Sequence, residues 1–428
     1  MKALRGGIRL EGKKEATTMP WTIARPTPPK RVRIPLLGSP GESPARPIVK
    51  TGDRVRLGEK IAEPVNKEAV ALHASVSGKV NEIAPFPHPF LGETEAIEIL
   101  SDGKDETLAG PGRERAGWES LAPSQLAPIL QELGVTSLFP LLTGSVDTVI
   151  VNGCESEPYL TSEYCLMMSH PTEILKGGEI LRRALGAKNL ILVVEDNKEE
   201  VAELLKSKIF FQARSETRVE VLPSLYPQGN EKILLRKLLG PETHNGKTTA
   251  KSGAALIDIA TVYAAFEAVA LEKPFYETAV TIGGECVAQP RNFWLRLGTL
   301  VEEAVKYARG FLREPARVIL GGPMTGTALL SLGVPVVKKS RGILGLPREV
   351  TGPEPLESIE PCIRCGRCVE SCPVFISPAM ITLAAENDLF DLARDYGSHQ
   401  CIECGNCSYV CPAKRPMVEL IRYANAHD

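Results

Sequence analysis

The chain has 428 residues, 43% of them hydrophobic, and its 50 basic against 52 acidic side chains leave a formal net charge of −2. That length suits about three domains with ordinary cores, and the charge balance excludes the basic footprint of a nucleic-acid binder. No stretch approaches the roughly 18 uninterrupted apolar residues of a membrane helix. The start, Met1-Lys-Ala-Leu-Arg-Gly-Gly, lacks the apolar core of a secretory signal. The expectation is a soluble chain that can dock on a membrane complex.

Residues 1–30 are rich in Gly, Thr and Pro and read as an extended arm that packs on a neighbour. Across 31–102 the signals are short strands and tight turns. Val32-Arg-Ile-Pro, Pro47-Ile-Val-Lys-Thr-Gly-Asp-Arg-Val, Lys60-Ile-Ala and Ser75-Val-Ser-Gly-Lys-Val-Asn-Glu-Ile carry apolar residues in near alternation. The turns Lys50-Thr-Gly-Asp and Ser77-Gly-Lys-Val resemble those of a lipoyl-like barrel-sandwich domain. In carrier domains of that kind a hairpin-tip Lys bears the cofactor. The matching Lys67 lacks flanking acidic and Met residues, so a scaffold without attached cofactor is expected.

Residues 103–118 are polar and Gly-rich and read as a linker, and 121–133 as a helix with Pro128 close to its first turn. From Asp147 the period changes. Apolar runs at 148–152, 189–195 and 219–222 alternate with helical patterns at 172–185, 198–209 and 231–239, with Thr172 as an N-cap. That alternation predicts a Rossmann-like α/β domain with a parallel sheet over 119–270. Ligands of such sheets lie beyond the C-terminal strand ends, here 152–159, 195–196 and 226–231. Gly240-Pro-Glu-Thr-His-Asn-Gly-Lys-Thr looks like a phosphate-binding loop, but the glycine spacing is one residue too long and no apolar strand immediately precedes it. Nucleoside triphosphate binding is rejected there. Residues 275–350, with Glu277-Thr-Ala-Val-Thr-Ile-Gly-Gly, a helix at 300–307 and Arg317-Val-Ile-Leu-Gly-Gly, read as a β-grasp unit, with Cys286 a buried apolar residue.

Eight of the 11 cysteines fall in two runs within the last segment, 355–428. Cys362-Ile-Arg-Cys365-Gly-Arg-Cys368-Val-Glu-Ser-Cys372-Pro and Cys401-Ile-Glu-Cys404-Gly-Asn-Cys407-Ser-Tyr-Val-Cys411-Pro each have the C-x2-C-x2-C-x3-C-P spacing of bacterial two-cluster ferredoxins. Three thiolates in a tight loop converge on one iron–sulfur cube, and the fourth reaches the other. On that logic Cys362, Cys365, Cys368 and Cys411 hold one [4Fe–4S] cluster, and Cys401, Cys404, Cys407 and Cys372 hold the second. Zinc or disulfides are the alternative; the third Cys and the following Pro favour clusters. Cysteines used this way indicate a reducing compartment. Helical patterns at 378–386 and 389–396 separate the runs and favour an α-helical dicluster ferredoxin domain. His399 and Glu403 are expected at the surface.

The order of these segments resembles the RnfC subunit of the Rnf-type ion-translocating ferredoxin oxidoreductase. The resemblance runs through Pro47-Ile-Val-Lys, His73-Ala-Ser-Val-Ser-Gly, Val151-Asn-Gly, Glu157-Pro-Tyr, Tyr226-Pro-Gln-Gly, Gly321-Gly-Pro-Met and Pro361-Cys-Ile-Arg-Cys-Gly-Arg-Cys. The α/β part is also similar to the flavoprotein subunit of respiratory complex I. Both families typically hold FMN there and oxidise NADH. This chain departs from that pattern. The family's Gly-rich G-G-A-G-F-P-T loop is replaced by Leu133-Gly-Val-Thr-Ser-Leu-Phe139-Pro140-Leu-Leu, which keeps only Phe139-Pro140. An acidic–Arg pair is replaced by Tyr164-Cys165, and Asn-Val-Gly-Thr by Asp258-Ile-Ala-Thr261. Asn152, Glu155, Glu157, Tyr226, Gly229, Glu231 and Thr261 remain as the remnants of an FMN/NADH site.

The expectation is an electron-transfer subunit with two [4Fe–4S] clusters and without FMN. It would be peripheral on the cytoplasmic side of the membrane, bound to other subunits of an Rnf-type complex and exchanging electrons with a redox protein. An FMN-dependent NADH-oxidising subunit and a soluble reductase component stand as alternatives.

Overall fold

A computed structural model describes residues 6–108, 114–138, 141, 145–211, 216–240, 252–351 and 360–427. Strands Arg31–Pro35, Gly92–Ser101, Gly78–His88 and Arg54–Val55 pair in that order as an antiparallel sheet, and Ala45–Pro47, Lys60–Pro64 and Leu72–His73 form a second. Val32 stands opposite Ile99 and Ile34 opposite Ile97, so their side chains share a face. That face closes with Ile61, Val76 and Val80 into one apolar core. The alternation in the sequence is therefore the inward side of a two-sheet sandwich. The expected linker ends differently: Trp118 is 2% exposed and belongs to the core of the next region.

That region is a four-stranded sheet in the order Thr217–Leu222, Asn189–Glu195, Thr148–Asn152, Ala254–Asp258, parallel throughout. Parallel pairing puts Asn152, Glu195, Leu222 and Asp258 at one edge. The strand Ala254–Asp258 and the helix Ile259–Leu271 were not foreseen, because the apolar run passes from one into the other without a turn signal. Asp258 makes the break. It is the N-cap, and its Oδ1 accepts the Thr261 N–H at 2.9 Å. The helix Ser162–Ser169 was missed as well.

Two helix starts correct the sequence reading. The helix Pro171–Ala184 begins at Pro171, so Thr172 lies inside it and His170 is an N-cap without a side-chain bond. The helix Pro123–Glu132 begins at Pro123, which leaves Pro128 in its interior rather than near its first turn. In both, a proline at the first position sets the start, where its missing N–H would be unpaired anyway.

A five-stranded mixed sheet follows, ordered Arg291–Arg296, Glu277–Gly283, Gly342–Leu346, Arg317–Leu320, Thr327–Ala328 and packed on the helix Val301–Tyr307. The described residues of the C-terminal segment form short helices and no strand. The arm packs on its own chain. Ile8 exchanges two backbone hydrogen bonds with Tyr226, Ala24 joins the edge strand at Asn292 and Trp294, and the Arg25 guanidinium pairs with Glu277 at 2.8 Å. Among the described residues no helix is long and apolar enough to cross a membrane. The phosphate-loop look-alike beyond Gly240 and the positions Phe139, Pro140 and Leu142 lie outside the described residues.

Candidate functional site

The two cysteine runs repeat one backbone design at an offset of 39 residues, 362 matching 401 and 365 matching 404. Each run has left-handed residues at equivalent places: Arg364 and Glu403 (φ 55° and 51°), Gly366 and Gly405 (78° and 80°), Phe375 and Lys414 (61° and 52°). Gly366 and Gly405 each precede a one-turn helix, Arg367–Glu370 and Asn406–Tyr409. The turns fold each loop back on itself.

Cys372 from the first run joins Cys401, Cys404 and Cys407 from the second around one pocket, lined also by Ile376 and Val418. Burial pushes the Cys404 and Cys407 thiols up to about 12, and the charges of neighbouring cysteines add to the rise. Such thiols ionise only when a bound metal displaces their protons. Cys368 and Cys411 pack together with Met417 and Val418, while Cys362 is half-buried and Cys365 exposed on the same loop as Cys368. Among the described residues no group of three or more His, Cys, Asp or Glu closes on a point fit for a single metal ion. The donor set of the first cavity is four sulfurs with apolar walls, which suits an iron–sulfur cube. His399 is exposed, and Glu403 pairs with Arg422, so neither competes as a ligand.

The loops beyond the parallel sheet lie against this centre. The Tyr226 hydroxyl donates to the Cys404 carbonyl at 2.7 Å, and Asn406 Nδ2 donates to the Ser371 carbonyl at 3.1 Å. Gly6, at φ +82°, passes so close that a Cβ there would sit 2.1 Å from the Cys372 carbonyl oxygen. A second cavity, of about 660 Å³, opens between Glu155, Glu157, Glu163, Arg341, Tyr226 and Cys404. Of the residues read as flavin-site remnants, Glu155, Glu157, Tyr226 and Gly229 line it. Asn152 supports it by donating to the Gly229 carbonyl at 2.9 Å. Glu231 is exposed in the first turn of its helix and Thr261 is bonded to Asp258, so neither reaches the wall.

Four family models match the chain in order: an RnfC barrel sandwich hybrid domain over residues 2–104, a Nuo51 FMN-binding domain over 138–267, an SLBB domain over 279–328 and a 4Fe-4S dicluster domain over 355–412. The C component of the proton-translocating ferredoxin:NAD(+) oxidoreductase complex of Clostridium ljungdahlii is 36% identical over 100% of this chain and 94% of its own length. The chain belongs to the RnfC family. The corresponding component of the Na(+)-translocating ferredoxin:NAD(+) oxidoreductase complex of Acetobacterium woodii is 33% identical over 98% of this chain and 96% of its own. That of the ion-translocating oxidoreductase complex of Rhodobacter capsulatus is 36% identical over 88% and 73%.

The charges around the second cavity are mutually committed. Arg341 pairs with Glu163 at 3.0 Å and with Asp258. Lys198 is 3.2 Å from Glu195 and 4.0 Å from Glu155, and Lys14 donates to the Glu155 carbonyl. Glu157 accepts from the Met324 and Thr325 backbone N–H groups, both at 3.0 Å, and ties the α/β loops to the five-stranded sheet. Burial pushes the Glu163 carboxyl up to about 8, against the pull of Arg341. Asp258 shares that guanidinium but is the more exposed of the two, and its Arg341 and Thr261 contacts outweigh burial to hold it below its ordinary range. Burial and the charge of Lys198 bring the Lys14 amine down to about 8.

Where a glycine loop would cradle a phosphate, Val135 and Leu138 are 5% and 3% exposed and packed into the core. Tyr164 and Cys165 are buried in the helix Ser162–Ser169, the Tyr164 hydroxyl donating to Glu200 at 2.7 Å. Sequence reasoning missed Lys14, Glu163, Lys198 and Arg341. They come from four distant segments, and no spacing rule links them.

Proposed function

We propose that this chain is an electron-relay subunit of an Rnf-type ion-translocating oxidoreductase complex. It carries one [4Fe–4S] cluster on Cys362, Cys365, Cys368 and Cys411 and a second on Cys401, Cys404, Cys407 and Cys372. The observation that carries the reading is that Cys372 crosses from its own run to share a cavity with the three thiols of the other. When bound, each cluster takes up and releases one electron. The chain's own residues fix the ligand loops through Tyr226 and Asn406, and Ile376, Val418 and Gly6 keep water from the second set. That dry, fixed setting is what a protein contributes to such a centre.

FMN and NADH have no place in this reading. The groups facing the second cavity include the carboxyl groups of Glu155, Glu157 and Glu163. The cations nearby, Arg341, Lys198 and Lys14, already serve protein acceptors. A flavin phosphate would enter among these acids without a glycine cradle and with the nearby cations already paired. Electrons then come from a protein partner rather than from a nicotinamide, and the naming of relatives as parts of ion-translocating complexes supports partners seated in a membrane. We take the cytoplasmic face as the site of docking. The segments 31–102, 119–270, 275–350 and 355–428 are read as lipoyl-like, Rossmann-like, β-grasp and helical ferredoxin domains around that relay.

The match of 138–267 to an FMN-binding domain favours a second reading, in which a divergent loop still holds FMN and the subunit oxidises NADH. Iron, sulfide and flavin analysis of anaerobically purified protein separates the two. About eight irons per chain without flavin supports the relay. One mole of flavin per chain, with NADH-dependent viologen reduction, establishes the second reading instead.

A further inference from the structure

The two cysteine runs share one backbone design but not one environment. In the second run Cys404 and Cys407 are buried, Cys401 is half-buried, and the loop is covered by Tyr226, Met324 and the arm. In the first run every residue from 363 to 367 is exposed, Cys365 among them. Ile363 is 66% exposed and Val369 42%. The helix Pro378–Ala385, which packs against Arg367–Glu370, adds Met380 at 40%. These apolar side chains stay partly exposed beside one another, and such a cluster is less ordinary than single exposed apolar residues.

The charges on this loop are arranged around Cys365. Arg364 precedes it directly and Arg367 follows two residues later, both exposed and neither in an ion pair among the described residues. The acids Glu360 and Glu370 stand at the ends of the loop. Near the second run the equivalent charge is committed: Glu403, at the position of Arg364, pairs with Arg422. An apolar centre, arginines beside it without an ion pair among the described residues and an exposed cysteine together describe a surface made for brief contact with an acidic redox protein.

We infer that loop 362–369 is the docking surface for an acidic one-electron carrier protein. Ile363 and Val369 form the dry centre, and Arg364 and Arg367 steer the partner. One electron crosses with no bond made or broken, one side being oxidised and the other reduced by one. The inference rests on the two-cluster reading and gives the relay a sidedness. The buried set faces the α/β cavity, and the exposed set faces the carrier.

The test uses cluster-loaded full-length protein and an acidic plant-type [2Fe–2S] ferredoxin as the probe, with a basic cytochrome c as the comparison. Calorimetric titration at low salt should show the acidic probe binding and the basic one not, with affinity falling as salt rises. The double variant Arg364→Glu, Arg367→Glu should weaken the acidic probe about tenfold and admit the basic one. Lys79→Glu with Arg54→Glu, an equal change of charge on the barrel-sandwich surface, should leave both titrations unchanged. Ile363→Gln, which changes no charge, should weaken binding without altering its salt dependence. Iron content and the electron paramagnetic resonance spectrum are read on every variant. Two intact clusters with an unaltered affinity in both loop variants overturn the docking surface. So does loop-dependent binding to phosphatidylglycerol vesicles with none to the ferredoxin. A parent protein without two clusters overturns the relay reading instead, and is seen before any titration.

Discussion

The Tyr226 hydroxyl donates at 2.7 Å to the carbonyl of Cys404, a proposed cluster ligand 178 positions away. The backbone of Tyr226 is meanwhile held on both its N–H and its C=O by Ile8. One residue thus joins the arm, the loop beyond the parallel sheet and the second cysteine run. Tyr226→Phe keeps the ring and leaves a buried carbonyl unpaired. The expected cost is about 1–3 kcal/mol, measured by denaturant unfolding. An accompanying shift in the potential of the cluster on Cys404, with the other unchanged, is expected in a redox titration followed by paramagnetic resonance. A wild-type unfolding curve and potential would show that the bond only decorates the loop.

Cys365→Ser and Cys404→Ser should each remove one cluster and spare the other, because the two thiols belong to different sets. Cys365 sits on the exposed loop and Cys404 in the enclosed cavity. Iron content should fall by about half in each, and the surviving spectra should differ between the two variants. Two identical residual spectra would contradict the crossed assignment.

The cysteine runs were legible because their spacing marks a ligand loop, whereas the left-handed residues that repeat at Arg364 and Glu403 are not glycines and carried no such mark. Three strands of the parallel sheet were legible for a similar reason: each is an apolar run ended by polar residues. Ala254–Asp258 was not, since its apolar character continues into Ile259–Leu271 and only the Asp258 cap separates them. The charge network of Lys14, Glu163, Lys198 and Arg341 was invisible for a deeper reason. Its pairs span up to 178 positions, as from Glu163 to Arg341, and a lone charged residue in a sequence carries no sign that it will be buried.

A second buried network makes a prediction about acid. Glu277, 3% exposed, meets Lys273 at 2.7 Å, Arg25 at 2.8 Å and Arg296 at 3.6 Å. Burial alone would raise its carboxyl, but the three cations outweigh it and hold the group at about 2 against an ordinary 4.5. The folded state therefore binds fewer protons than the unfolded one. The stabilisation is full above about pH 4.5 and is lost as pH falls through about 2, a total near 3 kcal/mol. Glu277→Gln should cost about 3 kcal/mol at pH 7, since Lys273 and Arg296 keep Glu267 and Asp105 as partners and Arg25 is exposed. The gap between wild type and variant in tryptophan-monitored unfolding should narrow as pH drops below 4.5. A gap independent of pH would refute the ion-pair account.

Glu163 carries the opposite sign. Its carboxyl is held at about 8 against an ordinary 4.5, mainly by burial, so the folded state binds more protons than the unfolded one. The wild type should lose stability as pH rises from about 4.5 to about 8, with no such loss below that window. Glu163→Gln removes the group and should flatten that slope, making the variant relatively more stable at pH 8.5 than at pH 5.5. Arg341→Met should steepen it. Without the guanidinium, Glu163 and Asp258 face each other uncompensated, and the cost, about 3 kcal/mol or more, is largest where both are ionised. Denaturation midpoints for the three proteins at the two pH values decide the matter. Parallel shifts at both would mean that Glu163 is already ionised in the folded chain, and that Arg341 has enough charge to hold it so.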